Sequence, residues 1–214
     1  MPARSSVPAR KGARAKDAAR RAPPPTPQDG RELSQRLRQA RRALGLTLAA
    51  LATRAGLSIG FISQVERGLT TPSMRSLRQL ADALGLRVEE LFSHPVDSDP
   101  REQRHVVRRD RRRVLNLDSI GMHMEIMTPP GEGAIQLFAA YMRPGGVSGA
   151  EDDSHEGFEC GVILDGQLEL WLSGEKHLLG PGDSFAFDSR TPHRYRNPGP
   201  TMTFVHWTIT PPIY

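Results

Sequence analysis

Residues 46–92 constrain the fold more than any other part of the chain. Apolar residues recur there at helical spacing, and the runs are bounded by residues that begin or end helices. These boundary residues are Thr47, Ser58 and Ser73 at helix starts, and Gly45, Gly56, Gly68 and Gly85 at helix ends. The pattern predicts five short helices at about 31–44, 48–54, 59–67, 73–84 and 88–92. In the first helix, one face carries residues expected to be buried: Leu33, Leu37, Ala40 and Leu44.

From residue 114 onwards the apolar period changes to two residues, which is typical of half-buried strands. Turn sequences such as RPGG, LDGQ and GPGD separate nine candidate strands at 113–118, 122–128, 135–143, 158–164, 167–172, 176–179, 183–187, 193–197 and 202–210. Many short strands at this spacing indicate an all-β barrel or sandwich. The expected fold class is therefore a two-domain α + β chain, with a tail at 1–28, a helical domain at 29–93, a linker at 94–113 and a β domain at 114–214.

The net charge of +5 conceals a strong asymmetry between the two halves. Residues 1–113 carry 24 Lys and Arg against 11 Asp and Glu, whereas residues 114–214 carry 5 against 13. The halves therefore have net charges of +13 and −8. A basic half attracts phosphates and an acidic half repels them, so the helical half is expected to face a nucleic acid.

The first 28 residues contain seven basic residues and one acid, Asp17, without apolar periodicity. This composition predicts a disordered basic tail. Such a tail either adds phosphate contacts or is a variable leader with no dedicated role. The linker contains the basic run RRDRRR at 108–113. It is interpreted either as a solvated linker or edge strand, or as a contact to the DNA backbone.

No apolar run approaches the roughly 18 residues that a membrane span requires. The basic start of the chain also lacks the apolar segment of a secretory signal. Cys160 is the only cysteine, so it cannot form an internal disulfide. These features predict a soluble cytoplasmic protein without a membrane partner. Cys160 itself is expected to be a packed thiol, with redox sensing as the alternative.

The third predicted helix and its flanks read SIGFISQVERG from Ser58 to Gly68. Ile62 and Val65 are spaced to pack inward. Together the segments LGLTLAALA, GLS, ISQVERG and PSMRSLRQLADALG resemble, in order and spacing, the lambda-repressor-like helix-turn-helix domain of XRE (Cro-type) regulators. The resemblance implies that the third helix enters the major groove of DNA. The alternative is a helical bundle that only mediates protein contacts.

Candidate DNA contacts combine this resemblance with side-chain chemistry. Gln64 suits bidentate pairing with adenine, Ile59 suits a thymine methyl group, and Gly60 allows close backbone approach. The complete candidate set is Ser58, Ile59, Gly60, Phe61, Ser63, Gln64, Arg67, Thr70 and Thr71, of which the last three suit phosphate contact. The resemblance also implies a structural ion pair between Arg41 and Glu66. Leu48 stands where many family members carry Gln, so a polar contact is expected to be missing there.

A second motif, DSHEGFECGVILDG, covers residues 153–166. With Gly146, Gly182, His193 and Asn197, it resembles the two motifs of a small single-domain cupin. That family has a double-stranded β-helix, the RmlC-like jelly roll. The chain departs from the motifs at Asp153, where the first histidine is usual, and at Asp188 and Arg190, where PxG is usual.

The cupin motif carries a candidate metal site. Asp153, His155 and Glu159 share parity, so an extended chain points them to one face, and the resemblance adds His193 from another strand. Two imidazoles and a carboxylate match the facial triad used for Fe(II), with Asp153 as a candidate fourth ligand, and Zn, Mn and Ni also fit. The alternative is an organic ligand or a water network without metal. Tyr195, Phe138 and Trp207 are candidates for an effector pocket, with plain core packing as the alternative.

A DNA reader joined to a ligand chamber predicts a transcription regulator, expected to be a repressor, whose cupin senses a small metabolite or a metal. The resemblance implies a metabolite from amine, amino-acid or sulfur catabolism. Acids near the chamber suit an amine, although an exposed acidic loop explains them equally: Glu151, Asp152, Asp153 and Glu156. Two recognition helices must reach grooves roughly 34 Å apart, so a homodimer on a near-palindromic operator is expected.

Two other functions remain open at the level of sequence. One is a mononuclear Fe(II) cupin oxygenase or epoxidase with a helix-turn-helix-like accessory domain, because His155, Glu159 and His193 suit that chemistry. The other is a DNA-binding protein whose barrel serves only for dimerisation. The positive charge around an intact helix-turn-helix favours the regulator, so no catalytic residue is assigned and the chain is not expected to be an enzyme.

Overall fold

A computed structural model describes residues 29–92, 105–130 and 133–212 of the chain. Its helical domain contains four α-helices: α1 (Asp29–Ala43), α2 (Leu48–Ala55), α3 (Ile59–Glu66) and α4 (Met74–Leu84). The predicted fifth helix is instead a 3₁₀ helix at Val88–Leu91, because four residues between extended neighbours are too few for a regular α-helical ladder. The predicted tail at 1–28 and the linker residues 94–104 lie outside the described ranges.

The helix starts are capped as the sequence predicts. The side chains of Thr47, Ser58 and Ser73 each accept a hydrogen bond from the backbone N–H three residues later, at 3.0 to 3.1 Å. Gly56 and Gly85 follow α2 and α4 with φ of 65° and 66°. That left-handed conformation costs glycine little, so the helices end where their glycines stand.

The inward faces of the helices form a closely packed core. Leu37, Leu51, Ile62 and Leu77 are each 2 % exposed or less. Leu44, expected to share the buried face of α1, is 52 % exposed. The expectation was wrong because α1 ends at Ala43 and Leu44 lies in the following turn, where helical periodicity no longer applies.

An ion pair fastens α1 to α3. Arg41 Nε donates to Glu66 Oε1 at 2.5 Å, and a second guanidinium nitrogen donates to Oε2 at 2.8 Å. The two side chains are only 11 % and 6 % exposed. The hydrogen bond to Glu66 raises the pKa of Arg41, and Arg41 also donates to the Leu46 carbonyl at 2.7 Å.

The β domain contains nine strands, which match the nine predicted segments in order and approximate extent. They are β1 (Arg113–Leu117), β2 (Met122–Ile126), β3 (Gln136–Met142), β4 (Phe158–Asp165), β5 (Leu168–Leu172), β6 (Glu175–Leu179), β7 (Ser184–Asp188), β8 (His193–Arg196) and β9 (Thr203–Thr210). They form a six-stranded sheet in the order β1-β2-β3-β9-β4-β7 and a three-stranded sheet in the order β6-β5-β8. The result is the antiparallel β-sandwich that the sequence predicts.

The segment before β4 extends the smaller sheet. Isolated bridges join Val147 to Arg196 and Asp153 to His193. At the second bridge, Asp153 N–H donates to the His193 carbonyl at 2.7 Å, and His193 N–H donates to the Asp153 carbonyl at 2.8 Å. Residues 147–153 therefore run beside β8 at the edge of the sandwich.

The end of the basic linker is held against the larger sheet. Arg109–Arg111 form a 3₁₀ turn, and Arg112 donates to Glu125 on β2 at 3.0 Å. Arg113 then begins β1 and is buried.

Among the described residues, no single helix is long and apolar enough to cross a membrane. α2 and α3 satisfy that length and composition only as a pair bent by 113°.

The two domains share one continuous core. Phe92, which follows the 3₁₀ helix, is fully buried, and its ring centroid lies 6.3 Å from that of Phe138 on β3. Arg36 on α1 donates to the carbonyls of Leu91 and Phe92, and Gln136 on β3 donates to Glu89 at 2.9 Å. The helical domain is therefore packed onto the sandwich.

We expect Glu66→Gln to destabilise the fold, because it leaves the buried Arg41 guanidinium without a charged partner. The expected loss in free energy of unfolding is about 1.5–3 kcal/mol, the range for hydrogen bonds to charged groups. Urea unfolding followed by circular dichroism measures it. Glu32→Gln is the matched control, since the Glu32 side chain is 47 % exposed and lies 3.7 Å from Arg36, a long and solvent-screened ion pair. Equal midpoints for the two variants would contradict a structural role for the buried pair.

Candidate DNA-binding face and candidate metal centre

The α2–α3 unit has the geometry of a helix-turn-helix. The helices are joined by three residues that include Gly56, and the chain bends by 113° between them. DNA-binding units of this kind join two helices at about 90–120° through a short turn. Ile62 and Val65 are buried, so α3 packs on α2 with the face that the spacing predicts.

The opposite face of α3 is open to solvent. The candidate DNA-binding residues Ser58, Ile59, Gly60, Gln64 and Arg67 are exposed, and Ile59 is 51 % exposed although it is apolar. Ser63 and Phe61 are half-buried, and Phe61 packs partly against the core. Phe61 is therefore less available than the neighbouring candidates.

The candidate phosphate contacts lie between α3 and α4. Arg67 is exposed, and its Nε donates to the Ser63 carbonyl at 3.2 Å. Thr70 and Thr71 are half-buried. The start of α4 faces the β domain, because Met74 N–H donates to the Ser148 carbonyl at 3.0 Å. A side chain at Gly149 would come within 3.0 Å of Ser73.

The four candidate metal ligands converge at one end of the sandwich. Glu159 lies on β4, His155 precedes that strand, His193 begins β8, and the bridge between the strands holds Asp153 beside His193. The ligand atoms of Asp153, His155 and His193 all lie within 4.8 Å of one another. Glu159 Oε1 lies 3.0 Å from His155 Nε2 and 3.5 Å from His193 Nε2.

Hydrogen bonds define the orientation of the two imidazoles. Nδ1 of His155 lies 3.0 Å from the Glu156 carbonyl, and Nδ1 of His193 lies 2.8 Å from the Thr191 carbonyl. A carbonyl only accepts, so each Nδ1 carries the proton. In the neutral rings both Nε2 atoms then present lone pairs to the site. Metal-binding histidines are commonly oriented by this kind of contact.

Glu159 completes a cluster of acceptors. Trp207 Nε1 donates to Glu159 Oε2 at 2.7 Å, whereas the buried Oε1 makes no hydrogen bond within the described ranges. Two imidazole nitrogens and a carboxylate oxygen thus converge on one point of the site. A divalent cation satisfies all three, so the residues fit a metal of the kind that His₂-carboxylate sites hold.

Asp153 differs from the other three because its carboxylate is paired with the helical domain. Arg78 on α4 donates to both Asp153 oxygens, one of them at 2.8 Å, and also to the Ser154 carbonyl at 3.2 Å. Arg75, one turn earlier on α4, lies 2.8 Å from Glu151 and donates to the Asp152 carbonyl at 3.2 Å. Of the acids that the sequence suggests for binding an amine, Glu151 and Asp153 thus already form ion pairs with arginines of the same chain.

The aromatic candidates line the interior next to this cluster. The rings of Tyr195 and Trp207 lie 4.6 Å apart. Both border a cavity of about 10 Å³ together with Phe138 and Glu159. Burial, and then the charges of Glu159 and Asp153, raise the pKa of Tyr195, so its phenol stays neutral.

The chamber is closed towards the helical domain. A second cavity of about 10 Å³ is bordered by His193, Tyr195 and Met74 of α4. Each cavity admits about one water molecule or ion. A larger groove of about 570 Å³ lies outside the chamber, between α1, the 3₁₀ helix and Arg113. Of these three spaces among the described residues, only the groove is large enough for a metabolite.

Sequence reasoning missed the residues that the helical domain contributes to the chamber. These are Met74, Arg75 and Arg78 from α4, together with Phe92 beyond the 3₁₀ helix. The available signal was weak: two arginines three residues apart on α4 and a run of acids at 151–153. Nothing in either local pattern pairs the two segments.

Comparison with known proteins agrees with both domains. Residues 37–91 match a family model described as helix-turn-helix, and residues 139–209 match one described as a cupin domain. The HTH-type transcriptional regulator PuuR of Escherichia coli is 29 % identical over 171 residues, which cover 79 % of this chain and 89 % of PuuR. The E. coli regulator SutR is 26 % identical over 184 residues, which cover 84 % and 94 %.

A crystal structure of an HTH_3 family transcriptional regulator from Vibrio cholerae has the same fold. It superposes with a TM-score of 0.58 at 20 % identity, covering 86 % of this chain and 98 % of that one. The similarity to PuuR and SutR extends through the helix-turn-helix and the cupin together. The chain therefore contains an XRE-type helix-turn-helix domain and a cupin domain, and over most of its length it is similar to HTH-type transcriptional regulators.

Proposed function

We propose that this regulator binds operator DNA through α3 and that a ligand held in the cupin chamber controls the binding. The observation that carries the proposal is the exposed face of α3, with Gln64 and Arg67, in the basic half of the chain. The relatives are bacterial transcription regulators, so the proposed site of action is the cytoplasm. The direction of regulation that we favour is repression.

Two copies of α3 are needed for a symmetric operator. Recognition helices of a dimer enter grooves about 34 Å apart, one turn of DNA. We therefore propose a homodimer joined through the β domains, which carry no excess of positive charge for DNA. Ile59, Gly60 and Gln64 would read base edges, while Arg67, Thr70 and Thr71 would contact phosphates.

The cupin ligand that fits the described chamber is a divalent cation. His155, Glu159 and His193 supply three convergent acceptors, and the adjoining cavity admits one ion. Fe, Zn, Mn and Ni all accept this ligand set. An organic effector, such as an amine or an amino-acid or sulfur compound, occupies roughly 300–1,000 Å³ in typical sites. It would require α4 to withdraw, or it would use the groove beside α1.

A second candidate function is oxidation by a mononuclear iron cupin, favoured by the same three ligands. An oxygenase must also hold its substrate next to the metal, and the described chamber leaves no such room. We therefore favour a sensor without catalysis. Oxygen uptake by the Fe(II)-loaded protein, measured with a panel of amines and organic acids, separates the two. Substrate-dependent uptake would favour the enzyme.

We expect Gln64→Ala to lose discrimination at one base pair, because alanine has no donor or acceptor for the base edge. The expected penalty is about 1–3 kcal/mol at that position. Selection from randomised duplexes followed by affinity measurement defines the preferred site of each protein. Gln35→Ala, at an exposed position of α1, is the control. An unchanged preference at every base pair would remove Gln64 from base recognition.

We expect Arg67→Ala to weaken binding to all duplexes alike, because a phosphate contact carries no sequence information. The slope of log affinity against log salt concentration should decrease by about 1. Arg190→Ala is the control, since Arg190 pairs with Asp188 at 2.8 Å and holds the pKa of that carboxyl at about 2. An unaltered salt slope for Arg67→Ala would contradict the phosphate contact.

We expect His193→Ala to lose metal affinity while it retains DNA binding, because His193 contributes a chamber ligand and no part of α3. The loss should exceed the roughly 10- to 100-fold typical of an outer-shell partner. Competition with a chelator for Co²⁺ measures it. His177→Ala, a partly exposed histidine on β6 outside the chamber, is the matched control. Wild-type Co²⁺ affinity in His193→Ala would place the ligand elsewhere.

A further inference from the structure

The mouth of the chamber is covered by α4 of the DNA-binding domain. Met74, at the start of α4, is 2 % exposed and borders the cavity beside His193 and Tyr195. Its backbone N–H donates to the Ser148 carbonyl on the other side of the boundary. One helix therefore belongs both to the unit that reads DNA and to the wall of the ligand site.

Arg78 makes a charged contact between α4, which covers the mouth of the chamber, and Asp153 of the β domain. Its guanidinium and the Asp153 carboxylate are 12 % and 9 % exposed, so the pair is largely removed from water. Asp153 accepts from Arg78 on both oxygens and from Ser154 N–H at 2.9 Å on one of them. Arg75, by contrast, makes its ion pair with Glu151 at the surface, where the side chains are 42 % and 76 % exposed.

The Asp153 carboxylate lies next to two positions for a positive charge, the Arg78 guanidinium and the proposed metal site. Its ligand atom lies within 4.8 Å of those of His155 and His193, and its carboxylate is already bound to Arg78. A divalent ion held by the histidines would repel a guanidinium that close, because screening by water is weak at a buried site. The ion would also need a lone pair of the Asp153 carboxylate, whose two oxygens already accept hydrogen bonds from Arg78.

We infer that Arg78 and the chamber cation compete for Asp153, so that cation binding releases α4 from the cupin. The inference rests on the proposed metal site and adds how that site reaches the DNA-binding domain. In the described arrangement Arg78 is the internal cation. When a metal takes Asp153, Arg78 leaves and the cover loses its buried charged anchor.

Release of α4 would move the whole DNA-binding domain, not one helix. Leu77, Leu80, Ala81 and Leu84 fix α4 in the helical core and are each at most 4 % exposed. A close-packed core moves as a unit, so α3 must follow α4 relative to the sandwich. In a dimer that movement changes the distance between the two α3 helices. This distance must match the spacing of the two operator half-sites for both helices to bind.

The test measures Co²⁺ affinity of the full-length protein by chelator competition. Arg78→Ala removes the competitor and should bind Co²⁺ more tightly, by about 5- to 150-fold, the usual span of coupling between sites. Arg54→Ala is the control, an exposed arginine on α2 of the same domain that lines neither chamber cavity, and its affinity should stay at the wild-type value. Unchanged or weaker Co²⁺ binding by Arg78→Ala would overturn the inference.

Arg78→Ala also leaves the buried Asp153 carboxylate without its charged partner, which can destabilise the variant. Two further measurements therefore do not use this variant. Arg78→Lys keeps the charge without the two-pronged contact and should give an intermediate affinity. In the wild-type protein, saturating Co²⁺ should accelerate hydrogen exchange of the α4 start, where Met74 N–H donates to Ser148. Unchanged exchange there, with Co²⁺ bound, would show that the cover stays in place and overturn the competition.

Failure of the metal site is distinguishable from failure of the competition. If the wild type and Arg78→Ala bind no Co²⁺, both the metal centre and the competition are wrong, while DNA binding through α3 is unaffected. If both proteins bind Co²⁺ equally and His193→Ala does not, the metal centre stands and only the role of Arg78 is wrong.

Discussion

Two buried carboxylates impose the constraint on which both domains depend. A charged group removed from water must be paired, and Asp153 and Glu159 are paired in different ways. Asp153 receives an arginine from the helical domain, which ties that domain to the mouth of the sandwich. Glu159 receives one hydrogen bond from Trp207 and turns its other oxygen to the imidazoles of His155 and His193. The first arrangement adds a buried ion pair between the two domains, and the second presents a carboxylate oxygen to two imidazoles.

The sequence predicts the local structure well because local rules decide it. Caps at Thr47, Ser58 and Ser73 satisfy free backbone groups within three residues, and the two-residue period of the β domain follows from the pleat. The errors fall where those rules end. Leu44 lies just beyond a helix terminus, and Val88–Leu91 is too short to stay α-helical. The contact of α4 with the acids before β4 depends on how two finished domains pack, which no spacing within either domain encodes.

In the candidate site, too, contacts within a motif were predictable from sequence and contacts between the domains were not. His155, Glu159 and His193 come together because a known motif fixes their places on neighbouring strands. Asp153 is predicted to be a fourth ligand, and it lies in the same cluster as His155 and His193. Its partner Arg78, 75 residues earlier in the chain, gives it a second role that parity along a strand does not reveal. The convergence of the candidate ligands was thus accessible from sequence, whereas the pairing of Asp153 with Arg78 required the tertiary structure.

The size of the chamber limits the signals that the closed arrangement admits. An ion enters the two described cavities of about 10 Å³, but a metabolite does not, so a metabolite that enters beside His193 must displace α4, whereas the groove beside α1 is large enough as it stands. Displacement breaks the contacts of Met74 and Arg78 and moves the domain that carries α3. For a ligand larger than an ion, entering the cavity beside His193 therefore also moves the helical domain. Coupling between the two sites then requires no relay of intermediate residues, because α4 forms a wall of one site and part of the scaffold of the other.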